Sequence, residues 1–366
     1  SVYMKDHLVI NPGSSSTKIG ICQDNQMCFQ QTIQHSQQEL SQFSSIVEQK
    51  AFRTGAIVSI LNKTGYSMED ITGVIAIGGL IRPGDAGVYK VNQDMVNDLL
   101  NARYDEHAAN LGALIAYDIA GRLKIDAYIA DPITADEMDA VARISGMPDI
   151  VRLGRSHTLN QKSVAAAAAK ELNKSYTQAN LVVAHLGGGI SVTAHRCGRM
   201  TDTNSARGEG PFCIDRTGGL NAFDVAKLCF SGKYTKEEML KKINGNGGVV
   251  AYLNTRDFRD VVQMRVQGNQ LAADVFDAMA YQVAKEIAAM SVSLGGQLDA
   301  IVLTGGMANS KELVSAISDR VSYLGKVMVF PGEQEMEALA EYLRQIVSGE
   351  RQAIQYVSEE DKKWKS

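Results

Sequence analysis

The feature of this sequence that most constrains its fold is a local plan that occurs twice. In each copy an apolar strand leads into a turn of small residues, a second strand, a polar turn and a third strand. Layouts repeated in this way indicate two similar structural units. The first copy has its successive strands and turns at Leu8–Ile10, Pro12–Ser16, Lys18–Cys22, Gln23–Gln26 and up to about Ile33.

The second copy follows the same order. We therefore expect two similar α/β domains that face each other across a cleft. No low-complexity linker separates the copies, so we expect the domains to pack closely and to hinge. The strands and turns of the second copy lie at Leu181–His185, Gly187–Gly189, Ile190–Arg196, Cys197–Gly198 and Met200–Thr203.

Strands and helical stretches alternate along the rest of the chain, which is typical of α/β architecture. Thr235 and Glu238 have the spacing of a capping box that opens a short helix,. The other predicted strands are Val74–Ile77, Ala127–Ala130, Ala300–Leu303 and Val327–Phe330, and the other helical stretches lie between Phe43 and Leu61, over roughly 93–123, over about 269–294 and from about Glu335.

Length and composition exclude several classes of protein. The 366 residues are too many for one ordinary core, since a domain has roughly 100–200 residues,. A net charge of −4 and a pI of about 5.9 argue against nucleic acid as a partner, because a phosphate-backbone binder needs a positive field,. No apolar run approaches the ~18 residues of a membrane span, and residues 1–6 lack the apolar core of a signal peptide, so no membrane partner is expected.

Cysteine and histidine spacing predicts no dedicated metal centre. The five cysteines are odd in number and never in CxxC spacing,. We therefore expect reduced thiols in a cytoplasmic protein and no zinc site. The six histidines form no HExxH motif, so a transition-metal site is not expected either,.

The strongest local signal is the turn from Asn11 to Lys18, which reads NPGSSSTK. Its glycine and the hydroxyls of Ser14, Ser15 and Ser16 suit a phosphate that approaches backbone N–H groups, and the Lys18 ammonium adds positive charge. The turn is not a Walker A loop, since GxxxxGK[ST] is absent and a strand follows it. An ordinary Ser/Gly hairpin is the alternative, but such a hairpin does not require Asn11 and Lys18 at its edges.

A second loop, from His185 to Ser191, places Gly187, Gly188 and Gly189 between two apolar strands. Three consecutive glycines weaken strands, so we expect a ligand that needs bare backbone there; a flexible tight turn is the alternative. The two loops occupy equivalent points of the repeat, which favours two phosphate-binding loops on one nucleotide.

A third loop follows a predicted strand and precedes a helix. Gly305 and Gly306 follow Thr304, and Asn309 lies near the helix start. This context suits a nucleoside-binding loop at the carboxyl edge of a sheet, where open α/β sheets bind ligands.

At these residues the sequence resembles the butyrate kinases of the acetate and sugar kinase, Hsp70 and actin superfamily. The motifs NPGSSSTK, HLGGGISV, GEGPFCIDRTGG, LTGGMANS and PGEQEMEALA occur in the order and spacing of that family over about residues 8 to 345. The resemblance implies two RNase-H-like (actin-like ATPase) domains, each a mixed β-sheet flanked by helices, with ATP and Mg²⁺ in the interdomain cleft. It implies an N-terminal domain of residues 1–160 plus about 335–366, a C-terminal nucleotide-binding domain of residues 161–334, and a homodimer or higher homo-oligomer.

The resemblance also implies the reaction and the residues that carry it. A short fatty acid would be phosphorylated on its carboxylate by ATP, giving an acyl phosphate and ADP. A carboxylic acid is ionised at pH 7, so no general base is needed, and alignment and charge stabilisation dominate. Arg216 matches the transition-state arginine, whose planar fork suits phosphoryl oxygens. His157 matches a histidine that contacts the phosphoryl group.

The remaining roles come from the same motifs. Asp131 and Glu335 match acids associated with magnesium, although Glu333 and Glu337 leave the register of the second acid open. Asn11 is expected to act with Lys18 at the γ-phosphate. His185 belongs to the second phosphate-binding loop.

The sequence departs from the family at three places near the expected site. Butyrate kinases usually have an arginine where this chain has Ile77, and that arginine would bind the substrate carboxylate. Arg82 replaces it only if its loop brings it inward. Ser156 stands where an aromatic residue is usual, and Arg207 where an acid is common.

These departures keep other hypotheses open. The first alternative is a kinase of the same fold that acts on acetate or propionate. The second, from a different class, is a nucleotide-binding protein with weak or lost transfer activity, which the absence of an arginine at Ile77 motivates. Arg216, His157 and Asp131 argue against it, because a pure binder has no use for all three. An actin- or Hsp70-like switch is disfavoured because the chain lacks a substrate-binding appendage.

Overall fold

The computed structural model describes residues 5–359 and divides the chain into two compact units. Unit 1 comprises residues 1–135 and 334–366, and unit 2 comprises residues 136–333. These bounds reflect compactness alone. The boundary that the sequence predicts, between residues 160 and 161, stays a prediction.

The secondary structure follows the predicted alternation of strands and helices. The strands are β1 (Asp6–Pro12), β2 (Ser16–Gln23), β3 (Gln26–Gln34), β4 (Ile71–Ile77), β5 (Val88–Lys90), β6 (Ala127–Ala130), β7 (Asn180–Leu186), β8 (Ile190–Arg196), β9 (Arg199–Thr203), β10 (Ala300–Gly305) and β11 (Val327–Pro331). The α-helices are α1 (Gln37–Leu40), α2 (Lys50–Lys63), α3 (Gln93–Leu100), α4 (Asn110–Leu123), α5 (Thr158–Glu171), α6 (Ala222–Cys229), α7 (Lys236–Ile243), α8 (Gly248–Leu253), α9 (Phe258–Val266), α10 (Gln270–Ser291), α11 (Lys311–Val321) and α12 (Glu335–Ser348).

Each unit contains one mixed sheet, and the two sheets share a topology. The strand order in unit 1 is β3-β2-β1-β4-β6-β5, and in unit 2 it is β9-β8-β7-β10-β11. In both, the first strand pairs antiparallel with the second and parallel with the strand on its other side. Among the residues that the structure describes, the one further strand in the sheet of unit 1 is the short edge strand β5. The predicted repeat and the predicted mixed α/β class are therefore confirmed.

The sheet of unit 2 is buried on both faces. Val182, Ala184 and Leu186 of β7 belong to the apolar core that contains α10, whereas Leu181 and Val183 belong to the core on the other face. This alternation is the period of two of a strand, and a strand covered on both sides reads as a continuous apolar run. On the second face α5 contributes alanines, whose small side chains allow the helix to approach the sheet closely.

The sheet of unit 1 is covered on one face by α4 and on the other by α12. Nine residues of α4 are buried. Gly112 in its first turn lies against the end of β4, and a Cβ there would lie 2.8 Å from the carbonyl oxygen of Ile77. On the opposite face, Met336 and Leu343 of α12 come within 3.3 Å and 3.1 Å of the positions that a Cβ would take at Gly20 and Gly73. Missing side chains thus set the helix-to-sheet distance on both faces.

Two helix predictions are corrected at their boundaries, and one is confirmed. The helices predicted over roughly 93–123 are α3 and α4, which are separated where the backbone is left-handed at Ala102 (φ 47°) and Asp105 (φ 92°). The stretch from Phe43 becomes regular α-helix only at Lys50, after a 3₁₀ turn. The long helix over 269–294 ends at Ser291, where a tighter 3₁₀ turn leads into Gly295.

The capping box that the sequence predicts in unit 2 is confirmed. Thr235 and Glu238 form it at the start of α7.

Among the residues that the structure describes, no helix is long and apolar enough to cross a membrane.

The contact of α4 with β4 gives a stability prediction. Gly112→Ala is expected to lower the free energy of unfolding by about 1–3 kcal/mol, the usual cost of overpacking, although alanine is the better helix former. Gly121→Ala is the matched control, because it lies in the same helix and a Cβ there meets no heavy atom within 4 Å. We expect Gly121→Ala to stabilise by about 0.5–1 kcal/mol. Chemical denaturation of both variants measures the difference, and equal effects would contradict the packing argument.

Candidate active site

In unit 1, the predicted phosphate turn is the hairpin between β1 and β2. Asn11 and Lys18 are register partners across the two strands, so their side chains lie on the same face of the sheet,. Ser14 and Ser15 are exposed at the tip, and Ser16 is half-buried. The structure therefore brings these five residues together around one turn.

Arg53 of α2 lies fully buried beneath this turn. Its guanidinium donates to the carbonyl oxygens of Gly13 (2.6 Å), Ser14 (3.1 Å) and Ser16 (2.8 Å). The side-chain oxygen of Gln49, one helical turn earlier, accepts from both Nε and Nη2. Within residues 5–359 no carboxylate forms an ion pair with Arg53, so neutral oxygens solvate its charge. Burial lowers the pKa of Arg53.

This arrangement gives the hairpin features that suit an anion. In a trans peptide the carbonyl and the following N–H point in opposite directions. Because the carbonyls of Gly13 and Ser14 point at Arg53, the N–H groups of Ser14 and Ser15 point away from it. Successive N–H groups on one side of a turn form a concave anion-binding surface, and Arg53 adds an uncompensated positive charge below. The sequence did not reveal Arg53, because it lies 40 residues from Gly13 in the chain.

Asp131 follows β6 with a left-handed backbone (φ 44°) and a buried side chain. Its Oδ1 accepts from the N–H of Gly87 (2.9 Å), and its Oδ2 accepts from the hydroxyl of Tyr342 in α12 (2.6 Å). These two hydrogen bonds, one to each carboxylate oxygen, fix the orientation of the Asp131 side chain. A non-glycine residue in this backbone region is a recurrent feature of functional sites.

Glu335 is the first residue of α12 and is half-buried, whereas Glu337 is exposed. Because α12 packs over Gly20, two residues after Lys18 on β2, the helix lies on the sheet face that carries Lys18,. Glu333 belongs to unit 2, where its carboxylate lies 3.4 Å from Nε2 of His185. The three candidate acids therefore have different surroundings.

Ile77 and Arg82 contact different parts of unit 1. Ile77 ends β4 and pairs with Ala130 of β6. On its other side β4 pairs with β1, and the last pair is Ala76 with Ile10, the residue before Asn11. The Arg82 guanidinium lies 3.6 Å from the carboxylate of Glu359 and donates to the carbonyl of Val357 at 3.2 Å. The structure thus places Arg82 against the C-terminal segment. Its predicted role as carboxylate binder stays a prediction.

In unit 2, His157 and His185 form a stacked pair at the carboxyl end of β7. Their ring centroids are 3.9 Å apart with an interplanar angle of 20°. Burial, together with the nearby Arg216 guanidinium, lowers the pKa of His157 to about 4. Burial and the neighbouring His157 lower the pKa of His185 well below its usual value. Both rings are therefore neutral at physiological pH.

The triple-glycine loop leaves room for Arg216. A Cβ at Gly189 would lie 2.6 Å from Nη1 of Arg216 and 3.4 Å from Cε1 of His157. Any larger residue at Gly189 would displace the guanidinium. The missing side chain thus allows the loop, the arginine and the histidine to meet.

The Arg216 guanidinium makes only long contacts with the neighbouring residues that the structure describes. Its Nη1 donates to the carbonyl of Ala206 at 3.4 Å, and its Nε lies 3.9 Å from the Asp215 carboxylate and has no hydrogen-bond partner in the described chain. The thiol of buried Cys213 donates to the carbonyl of Gly188 at 2.9 Å, which ties the arginine loop to the glycine loop. A guanidinium with unused donors suits an incoming phosphoryl group.

A pocket of about 880 Å³ lies beside these loops in unit 2. The predicted residues Gly187, Gly188, Gly306 and Asn309 line it. Other lining residues were missed from sequence because they come from a segment without a phosphate-loop signature, although a Thr-Arg-Asp run before a helix is a visible cap signal. They include Ile214, Thr255, Arg256, Asp257, Phe258 and Arg259.

Gly305 shapes the pocket without lining it. Its φ is 90°, and a Cβ there would lie 2.4 Å from the carbonyl oxygen of Leu186. By contrast, a Cβ on Gly306 or Gly188 meets no heavy atom within 4 Å. The first glycine is thus required by the protein, and the other two face open space.

Within residues 5–359 no group of three or more His, Cys, Asp or Glu side chains has the geometry to hold a metal ion. Mg²⁺ in phosphoryl-transfer sites is bound by one or two carboxylates together with substrate phosphates and water. Asp131 and Glu335 are carboxylates of the type that such a site uses,.

Comparison with known proteins agrees with this geometry. A family model described as the Acetokinase family matches residues 148–358. Butyrate kinase 1 of Clostridium acetobutylicum is 46% identical over 350 residues, which is 95% of this chain and 99% of the relative. Butyrate kinase 2 of the same organism is 43% identical over 95% of this chain and 98% of the relative.

Solved structures agree on the fold. The crystal structure of Porphyromonas gingivalis acetate kinase matches with a TM-score of 0.78 and 18% identity, over 94% of this chain and 100% of that chain. The assignment is supported by the order of the motifs, by the repeated sheet topology and by the similarity to the two relatives over 95% of this chain. The chain belongs to the acetokinase family.

Proposed function

We propose that this chain is a butyrate kinase, which phosphorylates the carboxylate of butyrate with ATP to give butanoyl phosphate and ADP. The observation that carries the proposal is the near full-length similarity to two butyrate kinases, 46% and 43% identical. The site geometry supports it, because a phosphate turn, an open guanidinium and a nucleoside-sized pocket are the parts that such a transfer needs.

We propose that ATP occupies unit 2 with its nucleoside in the 880 Å³ pocket. Pockets of a few hundred to about a thousand Å³ hold ligands of this size. Phe258 and Ile214 offer apolar surface to a base, and Gly187 and Gly188 offer bare backbone to phosphates. The turn of unit 1, with Lys18 and the Arg53 charge beneath it, is proposed to bind phosphate.

The reaction needs no proton transfer from the acid. A carboxylate oxygen attacks the γ-phosphorus, and the bond from that phosphorus to the bridging oxygen breaks as ADP leaves. Butyrate is already ionised at pH 7. The protein therefore contributes alignment and stabilisation of charge on the phosphoryl oxygens.

Arg216 and His157 are proposed to stabilise that charge in different ways. Arg216 supplies a permanent cation with donors unused by the protein,. His157, with its pKa lowered to about 4, supplies a neutral N–H donor. Mg²⁺, when bound with the nucleotide, neutralises phosphate charge, and Asp131 and Glu335 are the proposed acids that hold it.

We also propose a homo-oligomer. The segment around residues 141–151 in unit 2 exposes a set of large apolar side chains, and patches of this kind mark interaction surfaces. The exposed members are Val141, Ile144, Met147, Ile150 and Val151.

The proposed function is tested by trapping the product. The full chain with Mg·ATP and hydroxylamine is assayed against acetate, propionate, butyrate, isobutyrate and valerate, and we expect a hydroxamate signal that peaks at butyrate. A peak at acetate or propionate would favour the alternative kinase. Silence across the panel, with ADP binding intact by calorimetry, would mean that Ile77 removes transfer and that the chain binds nucleotide only.

Arg216→Ala is expected to lower kcat by ~10³-fold or more while the Kd for ADP stays nearly unchanged, by analogy with arginine fingers. The expectation follows from the unused Arg216 donors. Arg320→Ala, on the exposed side of α11, is the control and should leave both values unchanged. A fall of less than tenfold in Arg216→Ala would contradict the assigned role.

Gly306→Val tests the nucleotide pocket. A side chain at Gly306 enters open space in the pocket, so it should block the ligand without disturbing the fold. We expect the Kd for ADP to rise at least about tenfold, which corresponds to ~1.4 kcal/mol. Gly325→Val is the matched control in the same unit, since a Cβ on Gly325 keeps an ordinary contact distance of 3.5 Å from Leu298 and Gly325 does not line the pocket. Equal ADP affinities in the two variants, measured by calorimetry, would move the nucleotide elsewhere.

A further inference from the structure

A row of buried hydrogen bonds leads from His157 into the interior of unit 2. Nδ1 of His157 lies 2.9 Å from Oγ of Ser191, which in turn lies 3.1 Å from Nε2 of Gln161. The Gln161 Oε1 lies 2.9 Å from Nε2 of His195, and Nδ1 of His195 lies 2.8 Å from the Tyr176 hydroxyl. Ser191, Gln161 and His195 are fully buried, so water does not complete their hydrogen bonds.

The surroundings of Gln161 fix the orientation of its amide. Its Nε2 lies 3.2 Å from two backbone carbonyl oxygens, those of Val183 and Ser191. Carbonyl oxygens only accept, so this end of the amide must be the NH₂ group. The other end is therefore the oxygen, and His195 must donate to it through Nε2–H. Tyr176 then donates to the unprotonated Nδ1 of His195.

The same logic fixes the proton on His157. The Gln161 NH₂ group cannot accept a hydrogen bond, so Nδ1 of His157 is the acceptor available to the Ser191 hydroxyl. If His157 donated from Nδ1 instead, the buried Ser191 proton would have no partner, which is costly. His157 therefore accepts at Nδ1 and carries its single proton on Nε2. That nitrogen makes no hydrogen bond to any residue within 5–359.

We infer that Gln161 is a positioning residue that acts through Ser191 to hold His157 in the Nε2–H tautomer, with its donor free for a phosphoryl oxygen. The role of that donor rests on the proposed function, but the tautomer does not. Gln161 does not line the nucleotide pocket. Its effect is to decide which ring nitrogen carries the proton.

The tautomer can be measured in the protein without substrate. Full-length protein labelled with ¹⁵N-histidine gives long-range ¹H–¹⁵N correlations whose pattern differs between the two neutral tautomers, and His157→Asn identifies the His157 signals. We expect the Nε2–H pattern for His157 in the wild type between about pH 5.5 and 8. Gln161→Met, similar in volume but unable to hydrogen-bond, frees the carbonyl oxygens that the Gln161 amide occupies, so the Ser191 hydroxyl can donate to them instead of to His157. This variant should therefore give a mixture of tautomers. A wild-type Nδ1–H pattern would overturn the inference.

Kinetics separate positioning from a structural role. Gln161→Met should lower kcat by about tenfold, less than the ~10²–10³-fold cost of removing a donor outright, with KM for ATP and acid within about twofold. Ser191→Ala, which breaks the row at its next member, should give the same tautomer mixture and is the second variant if Gln161→Met does not fold. An unchanged spectrum and kcat in the variant that folds would sink the proposal.

Thr193→Val is the matched control. Thr193 is fully buried two residues along β8 from Ser191, and its hydroxyl pairs with that of Thr203 at 2.8 Å without reaching His157. The Thr193→Val variant should have a lower free energy of unfolding than the wild type, with no change in the His157 tautomer or in kcat. If the wild type shows the expected tautomer but no acid is phosphorylated, the proposed function fails and the assignment of the His157 proton stands.

Discussion

The requirement that buried polar groups be hydrogen-bonded shapes both units beneath their ligand loops. In unit 1 the Arg53 guanidinium is satisfied by carbonyls of the phosphate turn, and so the turn cannot present those carbonyls to a ligand. In unit 2 the Gln161 amide is satisfied by carbonyls of β7 and β8, which leaves its oxygen to His195. In each case an interior side chain determines which polar atoms the surface loop offers outward.

The buried side chains have opposite electrostatic effects in the two units. A phosphate turn must offer donors and positive potential, and a cation without a carboxylate partner provides both. A histidine beside a permanent cation must instead remain uncharged, because two like charges at close range repel strongly in a low-dielectric site. The stacking of His157 on His185 adds to this, since protonation of either ring would place a charge against its neighbour. The loop residues can be recognised from the sequence motif. The electrostatic potential at the turn and the neutral state of His157 depend on the side chains that the fold places around them.

Much of the fold, and the loops of the candidate site, could be predicted from the sequence for a physical reason. Apolar strands and small-residue turns are local patterns, so the repeat, the glycine loops and the capping box of Thr235 could be predicted. Arg53 and Gln161 could not, because each acts on a segment far away in the chain and neither residue type is unusual for a helix. The pocket residues around Phe258 were missed for the same reason: their relation to Gly306 exists only after β10 and α9 are folded. The predicted helix ends were wrong where a 3₁₀ turn adjoins the helix, before Lys50 and after Ser291, because local propensity does not distinguish a 3₁₀ turn from an α-helix.

The glycines of the site fall into two physical kinds, and the difference carries information about the ligand. Gly189 and Gly305 are required by the protein itself, since a Cβ would strike Arg216 in the first case and the backbone of Leu186 in the second. A Cβ on Gly188 or Gly306 would meet no heavy atom within 4 Å, yet both glycines line the pocket. Glycine costs backbone entropy, so an open glycine away from a turn that needs positive φ has no folding advantage over alanine. A side chain at either position would enter the pocket, so the bare backbone leaves room there for the nucleotide phosphates that we propose bind in it,.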